Sequence, residues 1–172
     1  MTHFFVRQFY AFSLVASMAP QLHADRWQVQ YLYDQAKSEM LLQDLHFPSA
    51  TRGIAIGEIQ EGRSRKGIAV VTSDSGAHWN LVKLDERPVS LFFLNDSLGW
   101  MVTEKGIWKT NEGGKDWQKL PKPPTQAWRV YFADENNGWA ACTKKTVLAT
   151  HDGGRKWEAI PAASEPPGAP ES

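Results

Sequence analysis

The sequence predicts an all-β chain in which three four-stranded antiparallel units follow one another as blades of a partial, open β-propeller. Three observations carry that expectation. A T-x-[DE]-x-G-x-x-W box recurs at Thr72–Trp79, Thr110–Trp117 and Thr150–Trp157, with its tryptophans 38 and then 40 residues apart. A fixed period of about 20 to 50 residues marks a repeat architecture. Ahead of each box an aromatic residue is followed six positions later by glycine: Phe47 and Gly53, Phe93 and Gly99, Phe132 and Gly138. The composition agrees, with 8 Trp, 8 Phe and 4 Tyr beside 13 Gly and 10 Pro, which suits short aromatic strands joined by many turns.

Each unit reads as four short strands. The first, over about 41–83, gives Leu41–Phe47, Gly53–Ile59, Gly67–Thr72 and His78–Lys83. The second, over about 90–120, gives Ser90–Leu94, Gly99–Val102, Gly106–Thr110 and Asp116–Leu120. The third, over about 127–160, gives Trp128–Phe132, Gly138–Cys142, Thr146–Thr150 and Lys156–Ile160. Four-stranded meanders at this period are propeller blades. A closed ring generally needs four or more, so three units imply an open arc, or a ring completed by self-association or by a partner. Trp27–Tyr31 resembles the last strand of a blade, and Asp34–Leu42 is the one stretch with reasonable helix propensity.

The box residues have structural reasons to be there. Gly76, Gly114 and Gly154 supply a positive φ in the turn between the third and fourth strands. Asp74 and Asp152 accept bonds from nearby backbone N–H groups, and Thr72, Thr110 and Thr150 add a hydroxyl. Trp79, Trp117 and Trp157 fold their rings against the hairpin. Glu112 replaces the aspartate in the second box, and Ser75 takes a position that is glycine in the others. A calcium loop needs several oxygen ligands, and each box holds too few carboxylates for that reading.

At these residues the chain resembles the Asp-box (BNR) propeller superfamily and, more closely, the photosystem II stability/assembly factor family. The closer likeness rests on Phe132-Ala133-Asp134-Glu135-Asn136-Asn137-Gly138-Trp139 and Phe93-Leu94-Asn95-Asp96-Ser97-Leu98-Gly99-Trp100, each leading into a box. It spans about Leu41 to Ile160 and implies a protein-binding or complex-assembly role without catalysis. The superfamily also contains sialidase-like glycosidases, so a glycosidase or a carbohydrate-binding module is the alternative. Sialidase-like chemistry wants three arginines with an acid and a tyrosine, and no such constellation stands beside Tyr31, Tyr33 or Tyr131. Trp100, Trp108, Trp128 and Trp139 suit sugar stacking if exposed, although their phase in the repeat favours core packing.

The remaining features set the context. Nineteen Lys and Arg balance nineteen Asp and Glu, so no global charge excess points to nucleic acid. Residues 1–24 read as a signal peptide: Arg7 without an acid before it, an apolar run over Phe9–Ala19, and Leu22-His23-Ala24 as a cleavage site. The run is too short to span a bilayer, so a periplasmic or secreted protein without stable membrane insertion is expected, its folded domain covering 25–161. Residues 162–172 read as a Pro-rich disordered tail. Cys142, the only cysteine, reads as a small buried apolar residue, and neither metal nor cofactor is expected. An insertion over Ile59–Lys66 predicts a protruding loop opposite the boxes, where Arg63, Arg65, Lys66 and Arg87 form a cationic patch for a partner.

Overall fold

The computed structural model describes residues 28–161, so the expected signal peptide, Trp27 and the expected tail lie outside the described residues. The fold is three four-stranded antiparallel sheets in sequence order, without an α-helix among the described residues. Unit 1 contains β1 (Ser38–His46), β2 (Gly53–Glu61), β3 (Ser64–Thr72) and β4 (Asn80–Lys83). Unit 2 contains β5 (Pro88–Phe93), β6 (Gly99–Thr103), β7 (Gly106–Thr110) and β8 (Gln118–Lys119). Unit 3 contains β9 (Ala127–Phe132), β10 (Gly138–Cys142), β11 (Val147–Thr150) and β12 (Glu158–Ala159). In each sheet neighbours in sequence are neighbours in the ladder, so every unit is a simple meander.

The aromatic–glycine signature has a steric cause. Phe93 and Phe132 pair directly across the ladder with Gly99 and Gly138. Each ring lies over its glycine, so a Cβ there would come within 2.5 Å of a ring carbon, as it also would at Gly53 against Phe47. Only a glycine leaves room for the ring. Within each unit the same phenylalanine meets the box tryptophan edge-on: Phe47–Trp79, Phe93–Trp117 and Phe132–Trp157, with ring centroids 6.0–6.1 Å apart.

Two expectations for unit 1 are corrected. The helix-leaning segment is strand from Ser38 onward, because β2 runs on to Glu61 and offers β1 a ladder from Leu42↔Gly57 to Ser38↔Glu61. Tertiary pairing outweighs a propensity difference of a few tenths of a kcal/mol per residue. For the same reason the insertion is no loop: β2 and β3 extend as a hairpin closed by Gly62-Arg63, with Gly62 at φ 59°. A bulge between Leu42 and Asp44 turns β1 so that Asp44 Oδ2 accepts the Leu91 N–H of β5 at 2.9 Å, tying units 1 and 2 together. Gln28–Gln35 forms no strand; Tyr31 packs instead on the outer face of unit 1, against Ala55, Ile68 and Val70.

The core lies between the units. Ile54, Ile56 and Ala69 of unit 1 meet Leu91, Phe93 and Met101 of unit 2. Trp100, Val102, Ile107 and Leu120 of unit 2 meet Val130, Phe132, Ala140 and Leu148 of unit 3. Each sheet thus has a rear face towards the preceding unit and a forward face towards the next.

Candidate protein-binding site

The three boxes share one frame and differ in how it is stapled. Gly76, Gly114 and Gly154 take φ 88°, 84° and 94°. Their N–H groups donate to Thr72, Thr110 and Thr150 Oγ1 at 3.0, 3.0 and 2.9 Å. Asp74 Oδ1 accepts from His78 N–H, and Asp152 Oδ1 from Lys156 N–H. The His78 N–H, its ring and the Thr72 hydroxyl pull the Asp74 carboxyl down to about 2; the Lys156 N–H likewise lowers that of Asp152. Glu112, one methylene longer, makes no such bond. In its place Arg52 Nη1 of unit 1 clamps the second box by donating to the Glu112 and Gly113 carbonyls at 3.2 and 3.4 Å. Trp117 and Trp157 donate to the Gly114 and Gly154 carbonyls at 3.1 and 3.0 Å, while the buried Trp79 Nε1 has no partner among the described residues. Ser75 is held at φ 62°, a conformation that glycine takes at lower cost.

At the opposite edge the structure gathers Arg65, Lys66 and Arg87, but around acids the sequence reading overlooked. Glu58, 4% exposed, pairs with Arg65 and with Arg87, each at 3.3 Å. Arg87 also holds Glu104, and Lys66 lies 3.7 Å from Glu61. The expected cationic patch is therefore largely neutralised by its own neighbours; Arg63, at the hairpin tip, is exposed and has no ion pair among the described residues. Next to this network Glu86 accepts from Lys119, the Thr103 hydroxyl and the Trp108 indole N–H. Burial opposes its ionisation, yet these three donors hold its carboxyl below the ordinary range.

Between the network and the second box, a cleft of about 470 Å³ separates units 1 and 2. Its walls are Ile54, Ile56, Ala69 and Val71 on one side and Met101, Trp108 and Trp117 on the other. Arg52 and Lys115 stand at the box end, Asp85 and Glu86 at the other. The exposed edge strand β4 runs along it, contributing Asn80, Val82 and Lys83. The repeat explains the cavity. Ile54, Ala69 and Val71 occupy the positions held in unit 2 by Trp100, Ile107 and Lys109, so the forward wall of unit 1 is smaller at three places. Between units 2 and 3 the same volume is filled: Trp100 is fully buried, stacks on Phe132 at 3.6 Å and donates to the Gly153 carbonyl at 3.0 Å. These apolar positions were not singled out by sequence reasoning; aligning the second and third strands of the units finds them.

Unit 3 presents a forward face without a neighbour among the described residues. Trp139, the counterpart of Trp100, is 41% exposed, and Tyr131 beside it on β9 is 60% exposed. Trp128 is exposed as well, so the expectation of core packing holds for Trp100 and fails for Trp128 and Trp139. Cys142 is half-buried, and burial raises its thiol pKa. Among the described residues no three His, Cys, Asp or Glu side chains gather to hold a metal ion.

Neither a family model nor a curated protein matches the sequence. Solved structures do match. YCF48 bound to D1 peptide aligns with TM-score 0.58 and 21% identity over 74% of this chain. YCF48 from Cyanidioschyzon merolae aligns with TM-score 0.57 and 22% identity over 71%. The described residues form part of a β-propeller. Its three blades span 45% and 37% of those two chains. A GH74 enzyme of Niastella koreensis aligns more weakly, with TM-score 0.52 and 16% identity over 69% of this chain and 22% of that one. At these identities the likeness establishes the fold.

Proposed function

We propose that this chain is an exported, non-catalytic accessory factor that holds an extended apolar segment of a client protein between blades 1 and 2. The cleft carries the reading: an apolar floor closed at each end by charged groups, beside a strand edge with free backbone donors and acceptors. Such a groove suits a peptide that adds to β4 and seats alternate side chains on Ile56, Val71 and Trp108. That YCF48 was solved with a D1 peptide supports peptide recognition on this fold. Arg63, at the hairpin tip, is the cation left for the client's flanking acids. The glycosidase and carbohydrate-binding alternatives draw on the GH74 likeness and on exposed Trp128 and Trp139, which lie away from the cleft.

A photoreactive side chain at Val82, compared with one at Glu158 on the corresponding strand of blade 3, tests this in the native cell envelope. A discrete protein adduct from position 82 and none from 158 is expected. Equal adducts from both, or loss of the adduct on adding soluble oligosaccharide, would remove the cleft from consideration.

A further inference from the structure

Rings of one blade meet rings of the next. His46 of blade 1 lies 6.4 and 5.6 Å from Phe92 and Phe93 of blade 2. Phe92 in turn lies 5.0 Å from Tyr131 and 6.3 Å from Phe132 of blade 3, and Trp100 stacks flat on Phe132. Tyr131 and Trp139 are the next members of these two series, and among the described residues no further blade faces them. At the other end of the arc, Leu45 and Phe47 stand where Val130 and Phe132 stand in blade 3, and both are exposed, Phe47 by 47%. The two ends are thus the two halves of a junction that the molecule already contains.

We propose that blade 3 docks head-to-tail on blade 1 of a second copy of this chain, with Trp139 of one copy stacking on Phe47 of the other. The template is the Trp100–Phe132 stack, and the indole N–H of Trp139 has an acceptor in the Ser75 carbonyl of the second copy, as Trp100 has in Gly153. The contact is heterologous, so two copies close it into a ring of six blades, whereas a non-closing angle would give filaments. Residues 28–31 are the competitor. Gln30 Oε1 lies 3.3 Å from where a Cβ on Gly76 would be, and Leu120 Cδ1 of blade 2 lies 3.0 Å from the same point on Gly154. This segment therefore takes the outer place of a preceding blade and leaves the inner place, at Phe47, open. Docking of a full blade displaces it.

Sedimentation velocity of the purified chain over a range of concentrations reads the association directly. A saturating two-copy species is expected. Trp139→Ala and Leu45→Asp, both at exposed positions and so compatible with folding, each weaken it by about tenfold or more, as loss of an interface anchor does. Phe47→Ala acts like Leu45→Asp provided circular dichroism shows it folded. Mixing Trp139→Ala with Leu45→Asp chains restores one sound junction and part of the association. A chain that stays monomeric at high micromolar concentration, or one in which Trp139→Ala weakens association and Leu45→Asp does not, would overturn the proposal, the latter because it indicates like faces meeting. None of these substitutions touches the cleft, so this test and that of the client site fail separately.

Discussion

The two junctions between blades are built from the same repeat and end in opposite states. Between blades 2 and 3 the position after the second-strand glycine is Trp100, fully buried, stacked on Phe132 and hydrogen-bonded to Gly153. Between blades 1 and 2 that position is Ile54, and with Ala69 and Val71 beside it the junction keeps a cleft of about 470 Å³. One junction holds the arc together and the other holds space. Close packing is the default in protein interiors, so a persistent gap lined by three reduced side chains is a feature of the sequence. In blade 3 the same position is Trp139, whose ring waits at the surface.

Substituting this position in each blade gives the largest effects. Trp100→Ala removes a buried ring and an indole hydrogen bond, and should lower unfolding free energy by about 3–5 kcal/mol in urea titration. Trp139→Ala, at an exposed site, should change monomer stability by less than about 0.5 kcal/mol. Similar losses at both positions would break the comparison. Arg87→Ala comes next, because it strips a partner from Glu58 and from Glu104 at the end of the cleft. We expect a loss of about 1–3 kcal/mol, with Arg63→Ala close to neutral as the control.

Acid separates the boxes. Asp74 and Asp152 have folded-state pKa values below those of the unfolded chain. Their contribution is therefore present above about pH 4 and is lost as pH falls below it, for Asp74 towards about 2. Asp74→Ala should flatten the fall in thermal midpoint over that window. A further effect concerns Ser75. Ser75→Gly relieves a left-handed backbone and should raise stability by about 1 kcal/mol, with no counterpart in boxes 2 and 3, which already have Gly113 and Gly153.

Much of this was legible in the residues because a repeat is its own control. The boxes placed Gly106–Thr110 and Gly138–Cys142 to the residue, and the aromatic–glycine pairs located the strands that stack. The count of three units anticipated an uncovered flank. What misled were charges and propensities read without partners. Arg65, Lys66 and Arg87 looked like a patch because Glu104 is distant in sequence, Glu58 was assigned to a strand without regard to its face, and Glu61 was read as part of a loop. Asp34–Leu42 looked helical because the ladder partners of Ser38 and Glu39 are Glu61 and Gln60, beyond Ile59, where a loop was expected. The cleft escaped notice because it consists of what is missing from Ile54, Ala69 and Val71, and small residues carry no motif.

The most direct test of the cleft gives it the contents of the other junction. Ile54→Trp with Met101→Ala reproduces the residues found at Trp100 and Ala140, and binding of extended peptides selected from a displayed library against the native chain is then measured by titration calorimetry. We expect a folded protein, of equal or greater thermal stability, that no longer binds peptides the native chain holds. Undiminished binding by a folded variant would contradict this.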